Sequence, residues 1–505
     1  VASLLLSVLF LATGSVQAQS SDRLTHDVPV EGILRPGFAD AWQFTARDGE
    51  MLSFRLEAIE PRLDPIIEIQ RANGDVLARN DDYNYPESRD SLIEAYTFPA
   101  TGIFRVSVSG YAGTGGAYRL TMTPGYSQIS YQTDFSTGVD WQTPETTAGV
   151  TASDQAMQVA VEGVDVHVPI FASNAAATRD GYYKVNLRAI NARPSWRVGM
   201  ILRYHEALDT YYSVQINESG NWRFIRVSGT DTTVLRDWRT HPAIVPGITE
   251  FSLGVLALGV GFDLFYNGQY IGSLTDDTHN RAGLHGVSVT SANAIGSQIS
   301  ATFDDFIITQ PQQVNGAPIF PARISATGAG GVTVRELQRR QVIPMGGEMA
   351  LTLNSSSARL GAAGVLRFPI TGGTLYGNLV LGGTVTWDND GSGANGCGLA
   401  LRSPDAGATY DLAYVDSDGG YGLAHYAGDA AGFTDGIYGH SHDIGTGPYH
   451  LVVVAAGQML HYFIEGHYVG ELATSALNGE IGQTVINFDP LNTQCRFENI
   501  WLWQW

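Results

Sequence analysis

From Asp22 to about Gly125, apolar and polar residues alternate over short runs, MLSFRLEAI, PIIEIQR, IFRVSVSG and AYRLTMT. Turn clusters such as Ala72-Asn73-Gly74-Asp75 and Asn80-Asp81-Asp82-Tyr83-Asn84 separate them. A two-residue period bounded by turn formers is the pattern of half-buried strands. The texture persists to the C-terminus. Only VRELQRR, 334–340, departs from it, and it is long enough for one local helix or an arginine-rich strand. The pattern predicts an all-β chain of three tandem β-sandwiches, at 22–125, 126–310 and 318–505. The boundaries fall at Pro-Gly-Tyr-Ser near Pro124 and at the polar, turn-rich stretch 310–318.

The second and third modules read as diverged copies of one unit. RVGMILRYHEALDTYYSVQINESGNWRFIRVSG, 197–229, aligns with GCGLALRSPDAGATYDLAYVDSDGGYGLAHYAG, 396–428. FYNGQYIG from Phe265 aligns with FIEGHYVG from Phe463, each a hairpin turning at Asn267-Gly268 or Glu465-Gly466. ATFDDFII from Ala301 aligns with CRFENIWL from Cys495.

The order of pieces in the first module resembles the bacterial pre-peptidase C-terminal domain (PPC). The matching pieces are Leu63-Asp64-Pro65, RANGDVLARNDDYN from Arg71, RDSLI from Arg89, FPATGIFRVSV from Phe98 and GAYRL from Gly116. That resemblance implies a jelly-roll sandwich serving as the accessory part of a secreted protein. The closing F-D-D-F strand and the block order of the other two modules resemble the concanavalin A-like lectin and glucanase sandwiches, laminin-G-like domains included. This second resemblance implies carbohydrate binding, or a glycan hydrolase of the same fold.

Composition narrows the classes. A chain of 505 residues with 44% hydrophobic and 16% charged side chains has ample core for several domains. The net charge of −21 is spread over all three modules, which excludes nucleic acid and anionic membrane surfaces as partners. Lys184 is the sole lysine, a bias we assign to genome composition. The apolar run 4–13, followed by Val16-Gln17-Ala18, predicts an export signal over residues 1–18, with an extracellular, cell-surface or periplasmic destination and no integral membrane anchor. Cys397 and Cys495 fall in the last module, where an oxidising compartment would let them form a disulfide.

Enzyme motifs mostly fail. His205-Glu206-Ala207-Leu208-Asp209 starts like a zinc-protease helix but ends in aspartate. Nothing has the carboxylate spacing of a sandwich glucanase, and the adjacent Asp304 and Asp305 should face opposite sides of a strand. A catalytic reading survives only if Glu206, Asp209 and Asp237 meet on a concave face. For calcium, Asp388, Asp390 and Ser392 repeat the first half of a calcium loop, and Asp81, Asp82 and Asp90 form a second cluster. His440 and His442, near Asp443, are a transition-metal candidate. Sugar binding needs aromatic faces; the second module offers Trp196, Tyr204, Tyr211, Trp222 and Trp238, and the third Trp387, Tyr410, Tyr421, Tyr426 and Tyr438. Of these, Trp196, Tyr204 and Trp238 fall in loops of the pattern and are the leading ligand-binding residues. The leading function is therefore a secreted, non-catalytic binder of carbohydrate, polysaccharide or cell-surface glycan, or of another extracellular ligand. The alternatives are a self-associating structural or adhesive envelope component and a glycan hydrolase.

Overall fold

The computed structural model describes residues 23–84, 87–138, 140–142, 149–153, 155–193, 195–314, 317–318, 324, 330–340, 342–389, 395–404, 408–440, 447–488 and 492–505. The export signal over 1–18, the side chain of Asp388, all of Asp390 and Ser392, and His442 and Asp443 lie outside the described residues. No described helix is long and apolar enough to cross a membrane.

The chain is all-β and builds sandwiches in tandem. In the first, the strands Val30–Leu34, Gly116–Pro124, Met51–Ala58 and Ser91–Thr97 form one antiparallel sheet. Asp40–Ala46, Gly102–Gly110, Pro65–Arg71 and Val76–Asn80 form the sheet that faces it. Alternate residues meet between them, with Phe44 against Phe54 at 5.0 Å and Phe98 against Phe104 at 4.8 Å between ring centroids.

The second and third sandwiches share one strand order. The larger sheet of the second has eight strands, Gly149–Ser153, Ala156–Glu162, Gln298–Gln310, Gly181–Arg193, Glu250–Leu258, Gly261–Tyr266 and Gln269–Thr275 in order, with Gln128–Thr133 also paired to Gln298–Gln310, and the six from Ala156–Glu162 onward recur in the third. Its counterpart runs Glu348–Leu360, Thr493–Gln504, Leu379–Asn389, Tyr449–Ala456, Met459–Ile464, His467–Ala473. The opposing sheets, His167–Phe171, Leu284–Ser291, Trp196–His205, Thr210–Asn217, Asn221–Ser228, Asp231–Thr240 and Gly364–Pro369, Glu480–Asn487, Asn395–Ser403, Tyr410–Asp416, Gly420–Tyr426, Phe433–His440, also correspond one to one.

The hairpin turns match in backbone and in side-chain use. Asn267-Gly268 has φ of 49° and 80°, Glu465-Gly466 has 51° and 79°, the doubly left-handed conformation that a two-residue turn between twisted strands requires. Asn267 Oδ1 accepts the N–H of Ser252 at 2.7 Å, and Glu465 Oε1 accepts that of His450. In the third sandwich Cys397 and Cys495 form a disulfide between the two sheets.

One local expectation fails. Asp305 sits at φ 46° beside a register shift, which breaks the pleat, so Asp304 and Asp305 line the same cleft instead of opposite faces.

The stretch VRELQRR is helical, within Gly330–Arg339. Its Val334 and Leu337 pack on Val380, Val452, Phe463 and Trp501 of the third sandwich. A side chain at Gly330 would strike the Trp501 ring at 2.2 Å, so only glycine lets the helix seat there. The other end reaches both neighbours. Arg339 pairs with Asp263 of the second sandwich at 2.9 Å, and Arg340 donates to the Glu94 carbonyl of the first while pairing with Glu336 at 2.9 Å. A helix of barely three turns, with the residue that follows it, thus touches all three sandwiches.

Candidate functional site

On the outer face of the smaller sheet of the middle sandwich Ser288, Gln215 and Thr290 are buried, while His167, Arg197, Asn217 and Arg223 remain partly exposed. Along Trp196–His205, Val198, Met200 and Leu202 enter the core while Arg197, Gly199 and Ile201 alternate with them. Register lines Pro169, Ser288, Gly199, Gln215 and Arg223 across the sheet in one row. The neighbouring row is His167, Thr290, Arg197 and Asn217. Polar groups on an otherwise apolar sheet are thereby collected on one side.

Their contacts fix their orientation. Arg223 donates from Nε to Gln215 Oε1 at 2.8 Å and holds its guanidinium 4.7 Å from the Trp238 ring centroid. This arrangement is both a hydrogen bond and a cation–π contact. His167 bridges Thr290 Oγ1 at 2.8 Å and Tyr211 Oη at 3.1 Å. Burial, with the charges of Arg197 and Arg223, pushes the imidazole down to about 4, so it is neutral at neutral pH. Arg197 pairs with Asp165 and donates to the Ser291 carbonyl at 3.1 Å.

At one end of this face lies a depression of about 290 Å³ lined by Asp165, Trp196, Arg197, Asn217, Glu218 and Trp238. Burial raises the Glu218 carboxyl above its ordinary value. At the other end Tyr204 stacks face to face on Phe171, ring centroids 3.6 Å apart, beside Glu206, whose carboxylate accepts from Gln142 Nε2 at 3.3 Å.

The structure therefore brings Trp196 and Trp238 to one depression and puts Tyr204 at the far end. None of the three is in a loop: Trp196 and Tyr204 belong to Trp196–His205 and Trp238 to Asp231–Thr240. Trp196 is 5% exposed and sits against Phe251 in the core, so it backs the depression instead of offering a free face. Trp222 and Trp387 are core residues too, as are Tyr410 and Tyr426, whereas Tyr438 is 56% exposed.

Glu206, Asp209 and Asp237 do not converge. The carbonyl of Asp209 accepts from Gly229 N–H beside the Thr210–Ser228 pair, whereas Asp237 lies next to Arg236, the partner of Phe224. Four residues of strand between those pairs amount to about 13 Å. Asp82 is raised by burial and by the charges of Asp64 and Asp81, but Asp90 is spent on the Ala58 N–H at 3.0 Å. Among the described residues no three His, Cys, Asp or Glu side chains are grouped to hold a metal ion, so Asp81, Asp82 and Asp90 do not gather as one ligand set. Sequence reasoning missed His167, Gln215, Arg223, Asn217 and Glu218. The signal available was polar residues at alternate positions in strands that are otherwise apolar, as in YYSVQIN.

No protein-family model matches the chain, and no curated protein matches it. Among solved structures it is similar to the carbohydrate-binding module CBM66 from Bacillus subtilis, with 15% identity over 36% of this chain and 98% of that one, TM-score 0.27. It is similar to the catalytic domain of an endo-1,3-beta-glucanase (laminarinase) from Thermotoga petrophila RKU-1, with 8% identity over 37% and 98%, TM-score 0.29. A protein with galectin-like fold from Bacillus subtilis matches at 12% identity over 36% and 96%, TM-score 0.28.

Proposed function

We propose that the chain is an exported, non-catalytic carbohydrate-binding protein whose middle sandwich holds a polysaccharide on its smaller sheet. The observation that carries this reading is the Trp238–Arg223–Gln215 stack beside the depression. A half-buried indole held by a cation on one side supplies an apolar platform for the C–H face of a sugar ring. The neighbouring amides and carboxylates of Asn217, Glu218 and Asp165 supply acceptors and donors for its hydroxyls. The disulfide supports an oxidising, extracytoplasmic destination, and the first, PPC-like sandwich fits an accessory part.

Affinity electrophoresis through gels holding a panel of neutral polysaccharides tests the reading, run with calcium and again with chelator. Retardation by one polysaccharide, lost in Trp238→Ala and Gln215→Ala, is the expected result. The chelator arm decides whether calcium contributes. No retardation by any gel would remove the reading.

A further inference from the structure

A cleft of about 1210 Å³ opens between the first sandwich and the outer face of the larger sheet of the second. It is separate from the face described above, on the opposite sheet. Alternation along Gly181–Arg193 puts Tyr183, Val185 and Leu187 in the core and turns Lys184, Asn186 and Arg188 toward this cleft. Opposite them the first sandwich contributes Arg47, Glu50 and Thr45.

The charges of the cleft are unequally engaged. Glu50 accepts the N–H of Arg47 at 2.8 Å, Asp305 accepts Asn186 Nδ2 at 2.8 Å, and Asp304 accepts the N–H of Asp305 at 2.7 Å. Lys184, Arg47 and Arg188, by contrast, make no side-chain hydrogen bond or close ion pair among the described residues, although Lys184 acts at longer range on Glu50 and Asp27, Arg47 on Glu50, and Glu250 lies across the strands from Arg188. The half-buried Lys184 is the only lysine of a chain with net charge −21, and both of its strand partners, Gly254 and Ile307, lack any group to pair with it. Burial raises Glu50 and Asp304, and the charges of Arg47 and Lys184 act on Glu50 in the opposite sense. The remaining wall is hydroxyl and amide: Thr45, Thr302, Ser252 and Asn267.

We propose that this cleft is a second ligand site, for a carboxylate-bearing oligosaccharide of the uronate class. Lys184 pairs with a sugar carboxylate, Arg47 and Arg188 flank it, and the hydroxyl and amide wall takes the sugar hydroxyls.

The sole lysine supplies its own reporter. The full chain is treated with a limiting acetylating reagent, and modification of Lys184 is followed by peptide mass spectrometry with tri-galacturonate, neutral galactotriose or a tri-glutamate peptide present. Tri-galacturonate should slow acetylation in proportion to occupancy, and the other two should not. Lys184→Gln should weaken tri-galacturonate binding in calorimetry by roughly tenfold or more, because a charge-assisted bond is lost, and Lys184→Arg should retain most of it. Trp238→Ala should leave it unchanged, so failure of the neutral-glycan reading and failure of this one are distinguishable. Equal protection by galactotriose or by tri-glutamate, no protection at all, or loss of binding in Trp238→Ala would each overturn the proposal.

Discussion

Arg203 and Arg402 occupy equivalent positions in the second and third sandwiches, each buried to 1% exposure and each in a left-handed backbone conformation, φ 55° and 52°. Both sit at register shifts, and both are packed by a glycine of the neighbouring strand region, Gly283 or Gly479, leaving no room there for a side chain. A non-glycine residue at such φ costs about 1 kcal/mol. The bulge turns a long cationic side chain inward, and this shared device marks the two sandwiches as copies more firmly than their aligned letters do.

The copies have diverged in how the arginine is used, and stability should register it. Arg203 donates to the carbonyls of Arg179 at 2.9 Å and Gly259 at 2.7 Å and lies 4.8 Å from the Phe262 ring centroid; Arg402 donates to the Ala476 carbonyl at 2.9 Å. Arg203→Met should destabilise its sandwich by about 3 kcal/mol and Arg402→Met by about 1–2 kcal/mol. Calorimetry resolving the separate unfolding transitions checks the order; a larger loss at Arg402 contradicts it.

The two tryptophans of the depression should separate binding from folding. Trp196→Ala removes a core side chain and should cost about 3–5 kcal/mol, lowering the melting point of the middle sandwich with or without ligand. Trp238→Ala, at a half-buried strand-edge position, should lose glycan binding with a melting shift of only a degree or two. Thermal melts and binding isotherms on both variants make the comparison.

Reduction should act locally. The Cys397–Cys495 bond closes a loop of 98 residues in sequence separation. A loop of that length stabilises by about 4 kcal/mol. Dithiothreitol, or Cys397→Ser with Cys495→Ser, should lower the transition of the third sandwich and leave the others in place. A uniform shift of every transition would contradict this.

Acid should weaken the middle sandwich through His285. The residue is fully buried, its Nε2 is 3.0 Å from Thr178 Oγ1, and burial pushes it down to about 3 from its ordinary 6.5. A folded-state value below the unfolded one means that unfolding takes up a proton, so this contribution is intact above pH 6.5 and is lost progressively as pH falls toward 3. His285→Gln should flatten that part of the stability profile. Asp27, raised to about 6 by burial, acts in the opposite sense: its contribution is present below its unfolded value of 3.8 and is lost as pH rises through 6. Denaturant midpoints measured from pH 4 to 8 on the wild type, His285→Gln and Asp27→Asn isolate the two.

Periodicity, turns and repeats were enough to read the fold. A two-residue alternation names the faces of a strand, and a two-residue turn such as Asn267-Gly268 permits few geometries. Bulges were harder to read. The left-handed residues Arg203 and Arg402 carry side chains with no preference for that conformation, so nothing local announces that the pleat breaks there. Trp196 misled for a related reason: it precedes an apolar run after a turn, which suits a loop as well as the first rung of a strand. Lys184 was visible as a compositional oddity, but its cleft is formed by two sandwiches, and Arg47 lies far from it in sequence.

The helix Gly330–Arg339, wedged on Trp501 and bonded through Arg339 and Arg340 to the other two sandwiches, bears on avidity. Sites on freely jointed modules search a range of spans, and a bivalent ligand loses entropy in fixing one. Here the sheet face and the cleft are held at one separation and angle. If both proposed sites bind as argued, a polymer carrying neutral and acidic blocks would gain from both only where its own spacing matches, and the rigid mount would act as a gauge of chain architecture.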